Sequence, residues 1–297
     1  YGYSMKNKNH YLTEQFITEW LTPDIGFVFR AGEVLDDFTS DYQHIEVMET
    51  NAFGRAFRLD GYLMTSEEDE WFYHENLNHI PAITHPNPRS ALIIGGGDGG
   101  SARQLLKYPG IERVVVCELD AGVVAIAEEY FGKVHQGAFH DPRLELVIAD
   151  GLKYVAQCQE SFDLIILDLT DPQGYAEPLY TRAFFADCAR VIGDHGLLSL
   201  HVGSPLFHQA RFSRLFGELR AVFQVVRPIL IPITLYGGFW GMACASQLRD
   251  PKRLDADMVE QRLQQRGITG LNYYNGDTHQ AALAQPNFVR RLLQQTE

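Results

Sequence analysis

The chain has 297 residues, 45% hydrophobic and 12% aromatic, enough for one large domain or a small domain joined to a larger one, and too apolar for global disorder. Asp and Glu number 38 against 25 Lys and Arg, a formal net charge of −13, which disfavours nucleic-acid and anionic-lipid partners and favours cationic ligands. Cys117, Cys158, Cys188 and Cys244 form no C-x-x-C pair, and no apolar run approaches a membrane span, so a soluble, cytoplasmic protein with free thiols is expected. No signal-peptide core is read at the start, and residues 1–4 ahead of Met5 read as an expression remnant.

In chain order, short strands are predicted at 27–29, 43–48 and 55–59, with turn chemistry at Asn51, Gly54, Asp60 and Gly61 between them. Together they read as a small antiparallel β unit. A helix is predicted over 66–80, with Ser66 as N-cap and Glu67, Glu68 and Asp69 at its positive end. Pro86 and Pro88 break that pattern. After Arg89, apolar strands (91–95, 113–117, 144–148, 164–167, 197–201) alternate with helices that include 101–107, 122–130 and 181–191. Near-continuous apolar strands between helices indicate a parallel sheet covered on both faces. Segments 222–231 and 239–246 read as further strands with room for an antiparallel pair, and 254–266 and 286–293 as closing surface helices. The expected fold class is α/β, a doubly wound sheet with a small N-terminal antiparallel β domain, divided at 1–75 and 76–297.

The most informative segment joins the 91–95 strand to the next helix through Gly95, Gly96, Gly97, Asp98, Gly99 and Gly100. Gly95, Gly97 and Gly100 satisfy the dinucleotide spacing G-x-G-x-x-G, yet Asp98 stands where such a loop meets a pyrophosphate. An anion there repels phosphate and attracts an ammonium or sulfonium. In doubly wound sheets the ligand lies beyond the carboxyl ends of the strands, and acids follow each predicted strand in turn. Glu118 lies about twenty residues past the loop, the position of a ribose-binding carboxylate; the alternative is a helix cap, which suits Asp120 better. Asp150 with Gly151 serves equally as partner of an adenine amino group or as cap of the next helix.

Asp168 and Asp171 flank a turn at a strand exit, where one acid would suffice for capping. Two carboxylates can hold an ammonium and help it toward its free-amine form, although a carboxylate is a weak base for a group with a pKa of about 10.4. An NAD-dependent dehydrogenase competes for the glycine loop, but it has no use for the Asp168/Asp171 pair and is opposed by Asp98. His74 and His79 lack the H-E-x-x-H spacing of a zinc enzyme, and no metal is expected.

With those residues placed, the chain resembles the spermidine synthase family of polyamine aminopropyltransferases. The resemblance runs from about Tyr42 to the C-terminal region. It rests on Tyr42-Gln43, Leu59-Asp60-Gly61, Glu67-Glu68-Asp69-Glu70, Tyr73-His74-Glu75, His85-Pro86-Asn87-Pro88, the glycine loop, and Asp168-Leu169-Thr170-Asp171-Pro172 in that order. It implies a Rossmann-like, methyltransferase-type catalytic domain, and a homodimer or homotetramer built through the β domain. It further implies decarboxylated S-adenosylmethionine as co-substrate, with no other cofactor, and a small polyamine as partner. By matching motif, Asp98 would bind the aminopropyl ammonium, Glu118 the ribose and Asp150 the adenine, with Gln43, Gly95, Gly97, Gly99 and Gly151 lining the co-substrate. Asp168 would be the catalytic base and Tyr73 would orient the attacking amine. Asp171 and His74 would contact the acceptor.

The departures cluster at the acceptor. Met64 stands where relatives carry Gln, Leu235 replaces the Tyr expected to contact the diamine, and His201 replaces a frequent Gln. Tyr236 is a candidate substitute for that Tyr, but in a strand it would face the other way. Asp171-Pro172-Gln173-Gly174-Tyr175 departs from the common D-P-x-G-P. The co-substrate acids are intact, while putrescine and a longer polyamine both remain open as acceptor. A catalytically weak paralogue that binds nucleoside or polyamine is the alternative from another class, and a transferase using intact S-adenosylmethionine is a third.

Overall fold

A computed structural model describes residues 15–172 and 174–294. The expected remnant ahead of Met5, the opening of the 1–75 domain and Gln173 lie outside the described residues.

The first five strands are β1 (Gln15–Thr22), β2 (Ile25–Thr39), β3 (His44–Thr50), β4 (Gly54–Leu59) and β5 (Tyr62–Ser66). They form an antiparallel meander in chain order, β1-β2-β3-β4-β5. Turn residues with positive φ, Asp60 and Gly61, close the β4–β5 hairpin. The strands at 27–29, 43–48 and 55–59 are parts of β2, β3 and β4. Strands β1 and β5 were not anticipated.

Helix α1 (Glu70–Thr84) begins four residues later than predicted. Ser66 is the last residue of β5, and its hydroxyl donates to Asp69 Oδ1 at 2.6 Å rather than capping a helix. The 75/76 division therefore falls inside α1, a continuous helix packed into the main core, and the first sheet ends before Glu70. Several buried polar side chains of α1 are tied to other elements. Glu75 accepts the N–H groups of residues 272–274 at 2.8 Å each, and Asn78 donates to Ser101 Oγ.

The second unit alternates β6 (Ser90–Gly95), α2 (Gly100–Leu106), β7 (Arg113–Glu118), α3 (Ala121–Tyr130), α4 (Gly132–His135), β8 (Leu144–Ile148), α5 (Gly151–Gln157), β9 (Leu164–Asp168), α6 (Arg182–Ile192), β10 (Leu197–Gly203) and α7 (Gln209–Arg220). It closes with the hairpin β11 (Val225–Ile233) and β12 (Gly238–Ser246), then α8 (Ala256–Gln265), α9 (Gly276–Leu283) and α10 (Asn287–Gln294). The seven strands lie in the order β11-β12-β10-β9-β6-β7-β8. Strands β8, β7, β6, β9 and β10 are parallel, and β12 joins β10 antiparallel. This is the Rossmann-like, methyltransferase-type doubly wound sheet. Pro228 and Pro232 lie in β11 because it is the edge strand, where a missing N–H costs no ladder bond.

The chain runs outward from β6 through β7 to β8, then returns to place β9 on the other side of β6. That reversal opens a crevice beyond the carboxyl ends of β6 and β9, the expected ligand position. The five-stranded sheet lies against this crevice, with Ile45, Val47, Phe57 and Leu59 packed on Val123, Ile126 and Phe131 of the α3–α4 region.

Candidate active site

Backbone geometry builds the floor. Gly95 has φ +78°, and a Cβ there would lie 2.1 Å from the Asp168 carbonyl oxygen, so only glycine lets β6 pass β9 this closely. Gly96 N–H donates to that same carbonyl at 2.8 Å. At Gly97 a Cβ would meet Glu118 Oε2 at 2.9 Å, and instead the Gly97 N–H donates to that oxygen at 3.1 Å.

Two adjoining cavities open above this floor. One, about 150 Å³, is lined by the glycine loop with Glu118, Asp150, Gly151, Val123 and Asp168. The other, about 370 Å³, is lined by Glu19, Asp171, His201, Trp240 and residues of β4 and β5. Gln43, Met64, Tyr73, Tyr175 and Tyr236 border both.

In the smaller cavity, Glu118 Oε1 accepts the Asp120 N–H at 2.9 Å while Oε2 takes Gly97. Burial pushes its carboxyl up to about 7 against those donors. The α3 cap is Asp120, which accepts from Gly122 N–H, so Glu118 is free of capping work. Asp150 does cap α5, through Oδ1 to Leu152 N–H at 2.9 Å, while still lining the cavity. Gln43 Nε2 donates to Asp120 Oδ2 at 2.9 Å and holds β3 to the rim.

In the wall of the smaller cavity, Asp98 turns inward and is 6% exposed. Its Oδ1 accepts the Gly100 N–H at 2.9 Å, and Oδ2 accepts the Thr65 hydroxyl at 2.5 Å. His74 Nε2 lies 3.4 Å from Asp98 Oδ2 and 3.8 Å from Asp168 Oδ2. His74 Nδ1 sits 2.7 Å from Glu70 Oε2, and Arg103 Nη2 holds both Glu70 oxygens. Burial works against charge on His74, but Asp98, Glu70 and Asp168 outweigh it and hold the imidazole well above its ordinary pKa. Burial likewise opposes the Asp98 carboxylate, yet the His74 charge, Thr65 and the Gly100 N–H keep it below the usual carboxylate range.

Asp168, the last residue of β9, is different. Burial pushes its carboxyl up to about 6, with Asp98 adding repulsion against the help of His74. Its Oδ2 and the buried Tyr73 hydroxyl both lack a hydrogen-bond partner. Burial and then the Asp168 charge push the Tyr73 phenol well above its ordinary value. His74, Asp98 and Asp168 each bring one atom within 4.8 Å of the others, so the protonated imidazole sits between two carboxylates and offsets part of their charge.

In the larger cavity Asp171 is not a free anion. Arg211 donates to its Oδ2 through Nη1 and Nη2, each at 3.0 Å. Tyr236 lies in the turn after β11, not in the strand, so strand alternation does not govern it. It faces both cavities and donates its hydroxyl to the Met64 carbonyl, whereas Leu235 packs into the core.

Of the site residues predicted from the sequence, all but Gly99 border the two cavities or the network between them; Gly99 lines neither cavity and instead faces His135 and Phe139. Sequence reasoning missed Thr65, Glu70, Arg103, Arg211 and Glu19. Glu19 sits on β1 with Ile17 on the same, inward side, and burial raises its carboxyl to about 7. An acid in a short strand gives no local sign that it is buried.

Comparison with known proteins agrees with this architecture. Residues 70–254 match the spermine/spermidine synthase domain, and residues 15–67 match the spermidine synthase tetramerisation domain. A polyamine aminopropyltransferase of Nitrosomonas europaea is 51% identical over 282 residues, covering 95% of this chain and 87% of that one. One from Moorella thermoacetica is 36% identical, covering 95% and 97%. A spermidine synthase crystallised with the transition state analogue AdoDATO superposes with a TM-score of 0.89 at 35% identity, covering 99% of this chain and 98% of that chain. With both of its domains matched and its switch-point crevice carrying the expected acids, the chain belongs to the spermine/spermidine synthase family.

Proposed function

We propose that this protein transfers the aminopropyl group of decarboxylated S-adenosylmethionine to an amine of the polyamine class and releases 5'-methylthioadenosine. The observation that carries the reading is the pair of unpartnered groups at the junction of the cavities, Asp168 Oδ2 and the Tyr73 hydroxyl. A primary amine donating one N–H to each would satisfy both and leave its lone pair aimed at the smaller cavity.

The adenosine would occupy the 150 Å³ cavity, its ribose on Glu118 and its base beside Asp150 and Gly151, under Gln43 and over Gly95 and Gly97. The aminopropyl ammonium would take Asp98. The acceptor nitrogen attacks the carbon bonded to sulfur as the C–S bond breaks. The C–S electron pair stays on sulfur, which becomes a neutral thioether, and the amine proton passes to Asp168. At about 6 that carboxyl is a stronger base than an ordinary aspartate, yet about four units below an alkylammonium. Orientation between Tyr73 and Asp168 therefore contributes alongside proton transfer. Asp98 also supports the decarboxylated donor over intact S-adenosylmethionine, whose extra carboxylate it would repel.

Assembly as a homodimer or homotetramer through the first sheet belongs to the same reading. Phe16 and Trp20 stand 57% and 60% exposed on β1, a larger apolar display than a monomer's strand face needs. The reading includes a cytoplasmic setting, no metal or other cofactor, and no nucleic-acid or membrane partner. The net charge of −13 supports the exclusion of nucleic acid, and among the described residues no helix is long and apolar enough to cross a membrane.

The test is product analysis with the decarboxylated donor and a panel of amines. Methylthioadenosine formed in step with an aminopropylated amine is expected. Tight nucleoside binding without methylthioadenosine from any amine would favour the catalytically weak paralogue instead.

A further inference from the structure

We infer that His74 is the resident cation between Asp98 and Asp168, locked in place by Glu70, Arg103 and Gly100, and that it releases its Nε2 proton to solvent when the donor's ammonium arrives. The inference rests on the aminopropyl transfer proposed above and adds a protonation step to donor binding.

The imidazole cannot step aside. Its Nδ1 lies 2.7 Å from Glu70 Oε2, and Arg103 Nη2 donates to both Glu70 oxygens at 2.8 and 2.9 Å. A carboxylate only accepts, so Nδ1 carries a proton on that side. Across the face of the ring, a Cβ at Gly100 would lie 2.5 Å from Nδ1 and 2.6 Å from Nε2, so the first turn of α2 comes as close as glycine permits. The Tyr73 ring stands edge-on to the imidazole, with centroids 5.3 Å apart. Nε2 is left facing Asp98 Oδ2 at 3.4 Å and Asp168 Oδ2 at 3.8 Å, in a side chain 2% exposed.

The charges around this ring divide unevenly. Glu70 on α1 is matched by Arg103 on α2. Asp69, just before α1, is engaged by the Ser66 hydroxyl at 2.6 Å and the Leu235 N–H at 2.8 Å. Tyr73 and Tyr236 are buried phenols pushed well above their ordinary value, and stay neutral. Asp98 from the glycine loop and Asp168 from β9 therefore share one positive partner, the imidazolium, and a single net negative charge remains. The donor brings two positive charges, its sulfonium and its ammonium, which would reverse that sign. A buried cation without a counter-ion is expensive, and loss of one proton restores the balance. The imidazole gives it up more readily than the ammonium, since their ordinary values are about 6.5 and about 10.4. Burial already opposes charge on His74, and the ammonium takes up the Asp98 charge that supported it. With Nδ1–H retained on Glu70, the freed Nε2 lone pair accepts one N–H of the ammonium while Asp98 accepts another. In both states a cation stands between Asp98 and Asp168, so the two carboxylates never face each other unscreened.

The test is titration calorimetry of the protein with decarboxylated S-adenosylmethionine at about pH 8, in two buffers of different ionisation enthalpy, whose difference in heat counts protons. At that pH Asp168 and Glu118, raised to about 6 and about 7, are largely ionised and have little to release. The parent should release close to one proton for each donor bound. Methylthioadenosine, which has neither ammonium nor sulfonium, should release none, and H74Q should bind the donor without release. E70Q, which removes the charge facing Nδ1, starts with a less protonated ring and should release about half as much or less. An unchanged proton count in E70Q would overturn the positioning role of Glu70. If H74Q does not fold, imidazole nitrogen NMR shifts of the parent decide, since the donor should convert an imidazolium to the neutral Nδ1–H form. Donor binding without proton release, or with a release that H74Q or methylthioadenosine reproduces, would overturn the inference and leave the transfer reaction standing. Failure of the donor to bind at all would overturn both.

Discussion

Replacing Asp168 with Asn should separate stability from catalysis. The substitution keeps the shape and removes the charge of a carboxylate whose Oδ2 is buried without a partner. Burial raises this group from its ordinary 3.8 to about 6. A raised carboxyl favours the fold in its protonated form. That contribution is full below about pH 4 and disappears as the pH climbs through 6. At pH 7 and above the ionised group therefore costs folding free energy. Two pH units at about 1.4 kcal/mol each set a ceiling near 3 kcal/mol, and because His74 and Asp98 share the same charge network the gain on substitution is about 1–2 kcal/mol. Asp168→Asn should accordingly melt a few degrees higher than the parent at pH 8, with the difference fading toward pH 4. Its kcat should fall by about 10²–10⁴, or about 3–5 kcal/mol in the barrier, for loss of the base. Scanning calorimetry across that pH range and methylthioadenosine release measure the two effects. A lower melting point at pH 8, or a kcat within tenfold of the parent, would refute the reasoning.

Other substitutions divide the site further. Asp98→Asn should raise the donor KM about ten- to a hundredfold and leave kcat at saturating donor less affected than Asp168→Asn does; initial-rate kinetics with varied donor decide it. His74→Gln keeps a hydrogen-bonding group but deletes the cation 3.8 Å from Asp168, so the acid limb of kcat/KM, set near pH 6 by Asp168 in the parent, should move up by a unit or more. A pH profile that stays in place would mean that the imidazole carries no charge. Gly95→Ala places a methyl 2.1 Å from the Asp168 carbonyl oxygen at φ +78°, so β6 and β9 must separate. A melting point lower by several degrees together with near-complete loss of turnover is expected, and retention of full activity would show that the loop tolerates another geometry.

The parts of the molecule legible in the sequence are those built by neighbours in the chain. The glycine loop and the acids at successive strand ends are strand-to-helix junctions, whose chemistry lies within a few residues, and all of them meet at the crevice. Helix α7 was legible too, since Phe212, Leu215, Phe216 and Leu219 keep a helical spacing, but it was not picked out. What the sequence could not show is pairing across the chain. Thr65 meets Asp98 across 33 positions and Arg211 meets Asp171 across 40. Neither bond leaves a local pattern, although the second changes the charge an acceptor would feel. The start of α1 was misjudged for a related reason. Ser66 followed by three acids is a good N-terminal signal, but extension of β5 through the β4 pairing of Ser66 with Ala56 claimed that residue first.

The long-range contacts also explain why the N-terminal sheet belongs to the site. The floor, formed by Gly95, Glu118, Asp150 and Asp168, comes from the carboxyl edge of the parallel sheet, and alone it is an open shelf of acids. Strands β1, β3, β4 and β5 close it, bringing Glu19, Gln43, Leu59, Met64 and Thr65 over the edge. Closure lowers the local dielectric and strengthens every charge interaction inside. Under that roof Asp98 is kept ionised by His74 and Thr65, while Asp168 and Glu19 are pushed up to about 6 and about 7. The three acids thus differ in readiness. Asp98 is a settled anion, while Asp168 and Glu19 are adjusted toward neutrality. Without the roof, water would return all three toward ordinary carboxylates, and the distinction between holding a cation and accepting a proton would be lost.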